Sequence, residues 1–213
     1  MQHFEVTQLT AAYRQCCEDR IGVFHDGERV VVAIADGAGG IGEGAAAAEA
    51  AIREIECSYP HIASAVDWTI LLRQIDQRIG PGESTAVVVD LQPNRLCGAS
   101  VGDSVAWIVH EDQITELTVR QHRKPLLGSG GACPVSCELS GSLQGTLLVT
   151  SDGFANYAKR DDVTRLVATA DFVEIPRRAI EMVRLPSGDL WDDTAVVAVR
   201  VRRPQRPRRR YSI

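Results

Sequence analysis

Apolar residues along this chain follow two rhythms. Short, dense runs rich in Val, Ile and Leu predict β-strands at residues 21–25, 29–35, 84–91, 95–101, 105–110, 113–117, 135–139, 145–150 and 194–201. Turn signals such as "HDGE", "QPN", "HED" and "GSLQG" separate them. Links this short favour antiparallel pairing over crossovers. A helical period predicts helices at 43–57, 63–79, 161–170 and 176–184. The second of these sets Val66, Ile70, Leu71, Ile75 and Ile79 near one face. In the last, Pro176 suits a first-turn position. The helices form two groups, one before the central strands and one before the final strand, with no alternating βαβ pattern. That order predicts antiparallel sheet with helices packed outside it.

The 213 residues suit one large domain, expected over residues 1–202, with a short basic tail at 203–213. The formal net charge is −5, and the seven arginines and no acids from Arg200 onward leave −12 on residues 1–199. An acidic body argues against a nucleic-acid binder and suits a protein that gathers carboxylates around a cation. The tail "RRPQRPRRRYSI" has almost nothing apolar and is expected to be disordered, free to touch an acidic partner. No apolar run approaches the ~20 residues of a membrane helix, and no secretory signal is expected from "MQHFEVTQLTAAYRQ". Cysteines stand at 16, 17, 57, 97, 133 and 137. Without a secretory signal they are expected as free thiols in a reducing cytoplasm. Cys133 and Cys137 form C-x3-C, but no second ligand pair lies at zinc-site spacing.

The stretch "VVVAIADGAGGIGEGAAAAEAAI" poses the chemical question. Gly37, Gly39 and Gly42 fit a G-x-G-x-x-G fingerprint, the basis of an alternative reading as a dinucleotide-binding oxidoreductase. Asp36 stands at the mouth of that turn, where a bare carboxylate repels phosphate, and no second parallel strand follows the helix. Other acids share its setting. Asp103, Asp152, Asp192 and Asp193 each lie where an apolar run meets a turn, and Glu18 and Asp19 lie just before the run at 21–25. One such acid is an ordinary turn residue. Several together repel one another unless a cation neutralises them. An all-oxygen set selects Mg²⁺ or Mn²⁺. Two such ions ~3.5–4 Å apart clamp a phosphoryl oxygen and acidify a bridging water. Arg14, five residues before Asp19, offers a guanidinium for phosphate.

These pieces resemble the metal-dependent protein serine/threonine phosphatases of type 2C, the PPM family, in a small bacterial-type form. The likeness runs in family order over roughly residues 10–200: "RQCCED", "ADGAGG", "STAVVVDL" with "ASVGDSVAWIV", "LLVTSDGF" and "DDTAVVAV". It implies an α+β fold, a four-layer α-β-β-α sandwich of two antiparallel sheets flanked by helices. It implies hydrolysis of phosphoserine and phosphothreonine in a protein substrate by a dinuclear Mn²⁺/Mg²⁺-activated water, opposite a serine/threonine kinase. Carried over by motif, Asp36 bridges both ions and the Gly37 carbonyl ligates one. Asp152 and Asp192 hold the first ion, Glu18 reaches the second through water, and Asp19 orients a water. Arg14 binds the substrate phosphate, and Asp103 helps hold a weaker third ion. A regulatory binding module without catalysis is the alternative within the family.

The chain departs from the family pattern in three places. Ala195 stands where Thr or Ser is usual, so Asp193 is an alternative ligand to the preferred Asp192. Ala38 stands where some members carry a His as general acid, and His122 is the nearest other candidate. Only a short flap, "QHRKPLLGSGGACPVSCELSGSLQG", separates the Gly-Asp-Ser and Ser-Asp-Gly motifs, which leaves the site open.

Overall fold

The computed structural model describes residues 3–39 and 42–202; the expected disordered tail at 203–213 lies outside the described residues. In chain order the strands are β1 (Phe4–Ala11), β2 (Arg20–Asp26), β3 (Arg29–Ala35), β4 (Gly37–Ala38), β5 (Glu83–Ser84), β6 (Ala86–Gln92), β7 (Arg95–Val101), β8 (Val105–His110), β9 (Gln113–Glu116), β10 (Val135–Ser140), β11 (Thr146–Thr150) and β12 (Thr194–Val201). The helices are α1 (Glu43–Ser58), α2 (Ala65–Asp76), α3 (Asp152–Ala155), α4 (Arg160–Thr169) and α5 (Ile175–Val183).

Two five-stranded antiparallel sheets form, ordered β1-β12-β11-β8-β9 and β10-β7-β6-β3-β2, with a two-stranded ribbon β4-β5 beside them. Alternation along each strand divides its side chains between two faces. Val30, Val32 and Ile34 of β3, Val87 and Val89 of β6, Leu147 and Val149 of β11, and Val197 and Val199 of β12 meet between the sheets. The other face of β3, β6 and β7 (Val31, Ala33, Val88, Ala99) packs on α1 and α2. The other face of β8, β11 and β12 (Trp107, Leu148, Val196) packs on α3, α4 and α5. The expected four-layer α-β-β-α sandwich is therefore the observed one. β3 pairs antiparallel with both neighbours, Arg20↔Ala35 on one side and Val30↔Leu91 on the other. That corrects the dinucleotide expectation, since its fold needs parallel strands around the glycine turn.

Two expectations about elements change. Residues 4–11 form an edge strand that pairs along its whole length with β12, Phe4↔Val201 to Ala11↔Thr194. Its exposed Gln8, Leu9 and Thr10 mask the alternation in sequence. The second helix starts at Ala65 because Ser64 caps it: its Oγ accepts from Asp67 N at 3.2 Å and donates to the Asp67 carboxylate at 2.8 Å. Its buried stripe is Trp68, Leu71, Leu72 and Ile75, while Val66 and Ile70 are 62 % and 45 % exposed. Trp68 takes the sheet-facing position and donates its indole N–H to buried Asp90 at 3.3 Å, which turns Val66 and Ile70 outward. Among the described residues no helix is long and apolar enough to cross a membrane.

Candidate metal centre

The sandwich brings strand ends from both sheets to one rim. Asp19 precedes β2 and Asp36 follows β3, both in one sheet. Asp103 lies in the turn from β7 to β8. Asp152 follows β11 and opens α3, and Asp192 and Asp193 precede β12, in the other sheet. Each of these acids acts electrostatically on others in the group. Asp36 is pushed up to about 10, first by burial, then by Asp19, Asp152, Asp192 and Asp103. Asp19 is pushed up to about 7 by burial, with a hydrogen bond from Ser151 pulling it back and Asp193, Asp152 and Asp192 pushing it further. Asp152 is raised by burial and by Asp103 and Asp192, and lowered by Asp36 hydrogen bonding and by Arg123.

Backbone and hydroxyl contacts fix these acids. Asp36 N donates to Thr85 Oγ1 at 3.0 Å, its carbonyl accepts from Thr85 N at 2.8 Å and from Ser84 Oγ at 3.0 Å, and Thr85 Oγ1 meets Ser104 Oγ at 2.7 Å. Gly37, paired with Ser84 in the β4-β5 ribbon, has no room for a Cβ because Gly44 at the start of α1 presses on it. Gly153 likewise lies against the Asp193 carbonyl. Asp19 is 2 % exposed; its Oδ2 accepts from Ser151 Oγ at 2.7 Å, and Ser151 Oγ accepts from Ala195 N at 2.8 Å. Ala195 thus contributes its backbone here while its methyl joins the core between the sheets. Asp193 accepts from the backbone amides of Tyr13 and Glu18, which ties residues 13–18 to the start of β12. Asp192 is exposed and accepts one bond, from Asp193 N at 2.9 Å.

Two buried oxygens, Asp19 Oδ1 and Asp152 Oδ1, have no hydrogen-bond partner. An unpaired buried carboxylate oxygen is costly, and a cation satisfies it. The donor set is all oxygen, which suits Mg²⁺ or Mn²⁺. Among the described residues no three His, Cys, Asp or Glu side chains stand in an arrangement that could hold an ion as they are. Asp103 instead pairs with Arg123 at 2.6 Å, and Asp152 accepts from Asn156 Nδ2 at 3.0 Å.

The side chains of two sequence candidates make none of these contacts. Glu18 is half-buried, with its Oε2 beside Gly44 at the start of α1. Arg14 is exposed, its guanidinium over the Tyr13 ring at 5.0 Å. Sequence reasoning gave no role to Ser151, Thr85, Ser104, Asn156 or Arg123. Ser151, Thr85 and Ser104 lie inside quoted motifs, and Asn156 lies four residues past Asp152, one helical turn on. Nothing in the sequence distinguishes Arg123 from other surface arginines.

The cysteines are all unpaired, Cys133 is exposed, and no zinc arrangement forms among the described residues.

No curated protein sequence matches the chain significantly. Solved structures share the fold at low identity. A bacterial serine phosphatase carrying an arginine substitution superposes with a TM-score of 0.81 at 19% identity, over 95% of this chain and 100% of that one. The S. agalactiae serine/threonine phosphatase gives 0.80 at 18% identity, over 93% and 100%. The catalytic domain of the serine threonine protein phosphatase PstP, in complex with two manganese ions, gives 0.74 at 18% identity, over 93% and 98%. The sequence itself matches the SpoIIE family over residues 26–202, a span that includes every candidate acid except Glu18 and Asp19. With that match over most of its length and the α-β-β-α sandwich beneath it, the chain belongs to the stage II sporulation protein E (SpoIIE) family, which is PP2C-like.

Proposed function

We propose that this protein hydrolyses phosphoserine and phosphothreonine in a protein substrate, with Mn²⁺ or Mg²⁺ as cofactor. The observation that carries the reading is the pair of orphaned buried oxygens, Asp19 Oδ1 and Asp152 Oδ1, in a carboxylate group drawn from both sheets. Asp36, Asp152 and Asp192 would hold two ions with the Gly37 carbonyl and Glu18, and Asp103 a weaker third. The exposed carboxylate of Asp192, engaged at one oxygen by Asp193 N, supports it over Asp193, both of whose oxygens are engaged by the amides of Tyr13 and Glu18. Bound divalent ions neutralise phosphoryl oxygens and lower the pKa of water.

The chain's own residues supply the remainder. Asp19, held by Ser151 with one oxygen free, orients the attacking water and takes up its proton as the oxygen–phosphorus bond forms. Arg14, exposed and next in sequence to Tyr13, whose amide bonds Asp193, would meet the phosphate with a paired donor set. The bond to the serine or threonine oxygen breaks, and Ala38 offers no proton to that oxygen, which takes one from water or from another residue such as His122. Six free thiols agree with a reducing cytoplasm, where the substrate of a serine/threonine kinase would be met. Residues 1–202 form the catalytic unit in this reading, and the basic tail contacts an acidic partner.

Replacing Asp36 or Asp152 with Ala is expected to abolish Mn²⁺-dependent hydrolysis of p-nitrophenyl phosphate while far-UV circular dichroism stays native. Full activity in either variant refutes the site. The second reading, a binding module without catalysis, draws on the open arrangement of the acids. It gains if the unaltered chain binds Mn²⁺ yet hydrolyses neither p-nitrophenyl phosphate nor a phosphopeptide.

A further inference from the structure

Arg123 is a cation that the structure places on the acidic rim. Its Nε lies 2.6 Å from Asp103 Oδ2, and its Nη2 lies 3.8 Å from Asp152 Oδ2. One guanidinium therefore spans two acids from separate parts of the chain, Asp103 in the turn from β7 to β8 and Asp152 at the end of β11. It does so from the solvent side, with its own side chain 73% exposed against 25% and 15% for the two carboxylates. The backbone beneath it is anchored: Gln121 Nε2 donates to the Ser104 carbonyl at 2.7 Å, one residue from Asp103. Arg123, Asp103 and Asn156 also line an open cleft of about 270 Å³ that runs from the rim toward Glu116 and Val119. Asp152, meanwhile, keeps its Oδ1 buried and without a partner, so the guanidinium satisfies only the outer side of that carboxylate.

We propose that Arg123 is a tethered counter-ion of the Asp103–Asp152 pair, and that a divalent ion must displace it to bind there. This rests on the reading of the acids as metal ligands. The physics is competition for one negative charge. A guanidinium at 2.6 Å neutralises Asp103 without satisfying the buried Asp152 oxygen, and a compact dication does both. An arginine on a surface segment swings away at small cost, because an exposed ion pair is weak. Arg123 is then a positioning residue that sets how tightly the rim takes metal, and its guanidinium leaves the mouth of the cleft as the ion arrives.

The test uses the full chain and Mn²⁺ alone, without substrate, in calorimetric titrations of the unaltered protein, Arg123→Ala, Arg123→Lys and Arg160→Ala. Arg160 removes the same charge from the same neighbourhood, but it pairs with Glu116 and not with the rim acids. Arg123→Ala is expected to bind Mn²⁺ about two- to fivefold more tightly, the range set by losing one exposed ion pair. Arg123→Lys is expected to stay near the unaltered protein, and Arg160→Ala to leave the affinity unchanged. The gain in Arg123→Ala is expected to vanish in an Asp103→Asn background. Equal Mn²⁺ affinity in Arg123→Ala and the unaltered chain overturns the proposal, as does an equal gain in Arg160→Ala or one that survives Asp103→Asn. Absence of Mn²⁺ binding in every form overturns the metal-site reading and this inference together.

Discussion

Ser151 joins two parts of the site through one hydroxyl. It donates to Asp19 and accepts from the backbone of Ala195, so the acid before β2 is held to the start of β12 in the opposite sheet. Replacing Ser151 with Ala leaves the Ala195 amide without its hydroxyl acceptor and frees a second oxygen of a buried carboxylate. Unmade hydrogen bonds of this kind cost about 1–3 kcal/mol each, so Ser151→Ala is expected to lower the urea midpoint of the metal-free protein by a free energy of that order. The sign for Asp19 follows as well. Its bond from Ser151 holds the carboxyl down against burial, so losing it raises Asp19 further above about 7. Direct titration of the metal-free protein by carboxyl ¹³C NMR, with the Asp19 resonance assigned, checks it: Asp19 moves to higher pH in Ser151→Ala. An unmoved Asp19 resonance contradicts the bond's role. Nothing of this relay is legible in "TSDG", because which backbone amide meets the hydroxyl depends on how the two sheets are stacked.

At the scale of elements, Asp36 is held by a chain of supports that starts far from it in sequence. Asp76, buried at the end of α2, accepts from Gly128 N at 2.9 Å and from Gly130 N and Ala132 N at 3.0 Å each, and so shapes the loop 128–132. Leu127, next to that loop, exchanges backbone hydrogen bonds with Ser84 at 2.9 and 3.0 Å. Ser84 in turn donates to the Asp36 carbonyl. Asp76→Ala strips three amides of one acceptor, and part of that loss is recovered from water. A net cost of about 1–3 kcal/mol is expected in urea unfolding, with Mn²⁺-dependent activity falling more than the fold does. Activity equal to the unaltered chain's would disconnect the loop from Asp36. The strands of this scaffold were legible because β-branched runs such as "VVVAIA" and "AVVAV" stay apolar on both faces when covered by helices on one side and a sheet on the other. The acids were legible because each follows or precedes such a run. The edge strand at 4–11 was not, since water covers part of it. Nor was the outward turn of Val66 and Ile70, since the position of Trp68 against Asp90 is a tertiary choice that a helical period leaves open.

Across the whole molecule the rim is where the two sheets are least content to meet. Asp19 and Asp36 belong to one sheet, Asp152, Asp192 and Asp193 to the other, and the acids of the second sheet raise the carboxyls of the first. A carboxyl whose folded value lies above its unfolded one contributes stability below the unfolded value and loses it as pH rises through the folded one. Asp19 and Asp36 stand at about 7 and about 10 in the fold, against about 4 for an aspartate in an unfolded chain. The metal-free protein is therefore expected to lose stability as pH rises from about 4 through neutrality. With a chelator present, the urea midpoint should be lower at about pH 8 than at about pH 5.5. A dication reverses the sign, because it binds the charged carboxylates that protons otherwise occupy. Mn²⁺ at about a hundredfold over its dissociation constant adds about 2.7 kcal/mol to the folded state, and its apparent affinity is expected to rise with pH over the same interval. Asp36→Asn removes the most strongly raised carboxyl and is expected to flatten the chelator-treated profile. A metal-free midpoint that is flat or climbs between those two pH values would mean that the acids do not crowd one another, and the case for a cation between the sheets would go with it.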